Sequence, residues 1–85
     1  MKRDIKSIIL LLTTQAMINL GEIKDPVSNE SILNLDGAGV FVELLEELEV
    51  KTRGNLTDEE DAFLTDILRD LKKVHDKKLN EQVKG

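Results

Sequence analysis

The stretch DIKSIILLLTTQAMINL, residues 4–20, contains neither proline nor glycine and runs directly into Gly21, a residue suited to the left-handed turn that ends helices. It predicts helix 1. At about 100° per residue, Ile5, Ile8, Ile9, Leu12, Ala16 and Leu20 fall on one broad face. Leu10 with Met17, and Leu11 with Ile18, form two further apolar strips elsewhere on the cylinder. A helix that is apolar nearly all round must be buried nearly all round. The chain is therefore restricted to folds in which other helices, or a partner, cover most of this segment.

The rest of the chain supplies two covering helices. Asn34 is a good N-cap for helix 2, residues 35–52, and Asp36 in its first turn complements the helix dipole. Ala38, Phe41, Leu44, Leu45 and Leu48 make its apolar stripe. Gly37 and Gly39 are anomalous there, since each is worth about 1 kcal/mol less than alanine inside a helix. A phosphate cradle would need a preceding strand and a following lysine, and neither is present. Close packing against the first turn is the better reading.

Helix 3 is expected over residues 58–79, with Phe63, Leu64, Ile67, Leu68, Leu71 and Val74 on its apolar face. The final residues, 80–85, read as a frayed tail. Between helices 2 and 3, KTRGNLTDEE carries the chemistry of a joint. Gly54 closes helix 2, Thr57 caps helix 3, and Glu60 completes a capping box. Leu56 is placed to plug the gap under the turn. The fold read from these signals is all-α, a single up-down-up three-helix bundle over residues 1–79. In that topology the basic start of helix 1 faces Asp58–Asp61, and the lysine-rich end of helix 3 faces Glu22, Asp25 and Asp36.

The 13 residues from 22 to 34, EIKDPVSNESILN, show no sustained period. Pro26 drives Asp25 out of helical geometry, and SNES is turn chemistry. A connection this long in so small a domain is often functional. The alternative is that Ile23, Ile32 and Leu33 lay it across the core, and this is the favoured reading.

Composition removes several function classes. With 85 residues the chain is one domain close to the lower size limit for a self-sufficient core. Aromatics are 2% of the residues, so aliphatic side chains must build that core, and oligomerisation is a natural supplement. Absence of cysteine rules out disulfides, thiolate metal sites and cysteine nucleophiles. A net charge of −5 disfavours general nucleic-acid binding, which depends on basic surface. No apolar run approaches the roughly 18 residues of a membrane span, and TTQ after Leu12 is not a signal cleavage site. A cytoplasmic location is expected.

Candidate chemistry is sparse. His75 is the sole histidine; lacking a second ligand, it reads as a helix-end residue favoured by the dipole. Ser7, Ser28 and Ser31 have no nucleophile context. The DEEDAFLTD run lacks the glycine and alternating ligands of a calcium loop. No catalytic, cofactor or metal residues are assigned. Thr13, Thr14, Gln15 and Asn19 interrupt helix 1 and suggest interhelical hydrogen bonds that fix register, with a recognition stripe as the alternative.

TQAMINLGEI, then DP, then LLEELEVKTRGNLTDEE resemble a small bacterial family known as domain of unknown function 1844, over roughly Ile8 to Leu71. The chain departs from that pattern at Gly37 and Gly39, where members carry helix formers, and at His75, where an aromatic is usual. The glycines bear on where helix 2 begins. The resemblance implies a bacterial, cytoplasmic, non-catalytic helical protein and no assigned activity.

The functional expectation is a helical interaction module, not an enzyme, that self-associates and docks on another protein. The alternatives are a regulator of a nucleic-acid machine and, last, a small-ligand binder or enzyme using the long loop and the glycines. Two covering helices account for one face of helix 1 only. Leu10, Leu11, Thr14, Met17 and Ile18 are therefore the expected interface of a homodimer, with Leu11 and Ile18 near the two-fold axis.

Overall fold

The structure, a computed structural model, describes residues 4–84. It is an all-α bundle of three helices, α1 (Ile5–Asn19), α2 (Leu35–Thr52) and α3 (Asp58–Lys84), and every pair of helices is in contact. The basic residues at positions 1–3 and Gly85 lie outside the described residues.

Helix ends follow local chemistry. Asp4 caps α1, its carboxylate accepting from the Lys6 amide at 2.9 Å, a cap that the sequence reading passed over. Gly21, at φ 78°, ends the helix: its amide donates to the Ile18 carbonyl, and the Glu22 amide donates to that of Met17. The Asn34 side chain accepts from the Gly37 amide at 2.9 Å and opens α2 as expected. At the joint, the Thr57 hydroxyl accepts from the Glu60 amide at 3.1 Å while the Glu60 carboxylate accepts from the Thr57 amide at 2.9 Å. The capping box is complete in both directions. Gly54, at φ 83°, sits after Arg53 at φ −55°, ψ 127°, and the Asn55 amide donates to the Thr52 carbonyl. Helix 2 thus ends in a type II turn, with glycine where that turn needs positive φ.

The core lies along the seam of the three helices. Ile9, Ala16, Leu20, Ala38, Val42, Leu45, Leu64, Leu68 and Leu71 are buried, and Phe41, Leu48, Leu56, Phe63 and Ile67 pack around them. Ion pairs mark the antiparallel order: Lys6 with Glu59 at the starts of α1 and α3, Lys72 with Glu46 at 2.9 Å, and Lys78 with Glu22 at 3.5 Å. Lys6 also stands 5.8 Å from the centre of the Phe63 ring.

Two boundaries differ from expectation. Helix 3 does not end near residue 79 in a frayed tail but continues through Lys84. Residues 80–84 contain no helix breaker, and Gln82 borders the same surface depression as residues 33–36. At a rise of about 1.5 Å per residue, α3 alone is roughly 40 Å long, which accounts for the 42 Å long axis of the molecule. The connection 22–34 does not lay its apolar side chains across the core either. Ile23, Val27, Ile32 and Leu33 are exposed. The loop closes on itself, because the Asp25 carboxylate accepts from the Val27 and Ser28 amides and the Asp25 amide donates to the Glu30 carbonyl. Its far end is stitched to α1 by the Leu20–Leu33 bridge and by the Asn34 amide donating to Asn19 at 2.6 Å.

Candidate interaction surface

Helix α1 is sandwiched on two flanks and bare on the third. Lys6 lies on the α3 side, beside Glu59 and the Phe63 ring; Leu12 lies beside Leu44 and Leu48 of α2. Met17 packs against the core, so the expected Leu10–Met17 strip does not exist as a surface. Leu11 is 61% exposed and Leu10 52% exposed, Thr14 is exposed, and Ile18 is half-buried. Of the five expected interface residues, the structure leaves Leu10, Leu11 and Thr14 open, but Leu10 and Leu11 are consecutive and diverge by about 100° around the helix.

Periodicity misplaced two residues. Ile8 and Leu44, both assigned to core stripes, are 48% and 45% exposed. The buried line of α2 runs through Ala38, Val42 and Leu45, which turns Leu44 outward and takes in Val42, missed in the sequence. Ile8 and Leu11, with Asp4 and Ser7, line one depression of the surface. Leu44, Leu48 and Leu12, with Glu47 and Lys51, line another. Ile8 and Leu12 are one turn apart, so the two depressions adjoin across a continuous apolar strip on α1 and α2.

The polar residues of α1 do not form an interhelical seam. The Thr13 hydroxyl donates to the Ile9 carbonyl at 2.6 Å and the Asn19 amide group donates to that of Gln15 at 2.8 Å, both within the helix. Packing accounts for one of the two glycines of α2, Gly37. A Cβ on Gly37 would stand 2.8 Å from Asn19 Oδ1 and 2.9 Å from Asn34 Nδ2. Gly39 faces the half-buried imidazole of His75, whose Nε2 lies 3.3 Å from the Leu35 carbonyl oxygen. A carbonyl only accepts, so Nε2 carries the proton in that hydrogen bond. His75 sits well inside α3 and not at its end, where the sequence reading placed it. Among the described residues no group of three or more histidine, aspartate or glutamate side chains is placed to hold a metal ion. No described helix is long and apolar enough to cross a membrane.

A family model described as Domain of unknown function (DUF1844) matches residues 2–74. The chain belongs to that family. The DUF1844 match includes α1, α2, the capping-box joint and the first two thirds of α3, and it stops just short of His75. Neither a curated protein nor a solved structure matches the chain. The apolar strip on α1 and α2 therefore lies wholly within the DUF1844 region.

Proposed function

We propose that this chain is a small non-catalytic interaction module of the bacterial cytoplasm, which self-associates through α1. The observation that carries the reading is the open face of α1, where Leu11 is 61% exposed with Ile8 beside it. A contiguous apolar surface on a small protein marks an interface more often than chance exposure. The 2% aromatic content and small size of the chain add a second motive, since association supplies burial that a light core lacks. Leu11→Glu tests the reading. Because Leu11 already faces solvent, the substitution leaves the bundle folded and places a carboxylate in the interface from both subunits. Light scattering on a sizing column is expected to show a dimer for the unmodified chain and a monomer for the variant. A variant that keeps the unmodified mass would remove α1 from the interface.

A further inference from the structure

We infer that residues 21–37 form a strap that opens without unfolding of the helical core, and that His75 of α3 is the clasp holding it shut. None of these residues is buried, although they join two packed helices. Ile23, Val27, Ile32 and Leu33 are all exposed, so apolar burial contributes little to keeping the segment in place. Segments with few buried apolar contacts open at a fraction of the free energy needed to unfold the core. The first turn of α2 adds to this weakness, because Gly37 and Gly39 are poor helix formers. The core resumes at either end of the strap, where Leu20 and Ala38 are fully buried.

Polar ties hold the strap. At α1, the Asn34 amide donates to the Asn19 carbonyl at 2.6 Å, and Leu33 bridges to Leu20. At α3, the half-buried His75 donates from Nε2 to the Leu35 carbonyl oxygen, 3.3 Å away. Leu35 is the first residue of α2, so this bond pins the point at which strap becomes helix. Lys78 reaches Glu22 near the other end of the strap, at 3.5 Å. That pair is partly exposed, is screened by salt and contributes little by itself. The imidazole is therefore the tie that matters from α3. A hydrogen bond of this kind, lost on opening, shifts the opening equilibrium about threefold to tenfold. The clasp does not depend on the self-association proposed above.

Native-state hydrogen exchange tests both parts, with single amides followed by NMR in low concentrations of urea. The Asn34 amide is bonded to Asn19, and the Ala38 amide to the Asn34 carbonyl, so both are released when the strap opens. In the unmodified chain these two are expected to be about tenfold or more less protected than the amides of Leu45 and Leu68 in the core. Their exchange should also depend less on urea, because local opening exposes less surface. Equal protection and an equal urea slope at all four amides would overturn independent opening. His75→Phe keeps a ring beside Gly39 but offers Leu35 no donor, and circular dichroism checks that the helices are intact. In this variant exchange at 34 and 38 is expected to rise about threefold to tenfold. Unchanged exchange at those two amides would overturn the clasp, because the bond would then either survive opening or contribute nothing to closure.

Discussion

Gly37 and Gly39 stand two positions apart in the same helical turn, yet the structure leaves no room for a methyl group at the first and room for one at the second. At Gly37 a methyl group would press on Asn34, whose carboxamide is holding the cap, and on Asn19 of the preceding helix. Relief requires displacing the cap, which is worth about 1 kcal/mol, comparable with the helix propensity gained by alanine. Gly37→Ala is therefore expected to give no stabilisation and to lower the denaturation midpoint once the Asn19 contact is counted. At Gly39 the nearest atom would be His75 Nε2 at 3.7 Å, an ordinary contact. Gly39→Ala should raise stability by roughly 0.5–1 kcal/mol. Urea titrations of the two variants check the contrast, and a shared sign would refute it. Lys6 and Glu59 supply a pH signature. The Lys6 ammonium donates to Glu59 and holds its carboxyl below the usual carboxylate range, while the Lys6 ammonium is held above its own. A depressed folded carboxylate stabilises above its unfolded pKa and loses that contribution as pH falls through the folded value. The stability difference between the unmodified chain and Glu59→Gln should thus be present near neutral pH, shrink in acid, and weaken with added salt.

Helices were legible wherever their ends carried caps. Asn34, Thr57 and Glu60 cap where their side chains indicate, Gly54 turns the chain at positive φ, and the capping box closes in both directions. Thr57→Ala should destabilise the fold by about 0.5–2 kcal/mol. Glu60→Ala should add less than its own single effect to that background, because both side chains serve one box. Additive losses in denaturant titrations of the singles and the double would show that the two bonds act separately. What the sequence concealed depends on which neighbour a helix meets. Periodicity shows that Ile8, Leu11, Leu44 and Val42 are apolar, but the directions from which neighbouring helices approach decide which of them is covered. Met17 was drawn into the core for the same reason. The end of α3 was obscured by composition: NEQVK looks like a polar tail, yet it holds no helix breaker, and Lys78 just before it is paired with Glu22 of the loop. The loop itself deceived in the other direction, since an Asp25-centred turn satisfies its backbone without burying Ile23 or Ile32.

Taken together, the bundle covers two flanks of α1 and leaves an apolar strip shared with α2. Helix α3 completes the core and carries acidic and basic ends that pair with α1, α2 and the loop. Membership of the DUF1844 family assigns no activity, so the case for an interaction module rests on that strip. Its most direct test is the mass of the unmodified chain by sedimentation equilibrium, from about one to about one hundred micromolar, the range over which a typical interface saturates. A shift toward twice 9.6 kDa as concentration rises is the result expected of self-association. A mass that stays at 9.6 kDa up to the highest concentration would contradict it.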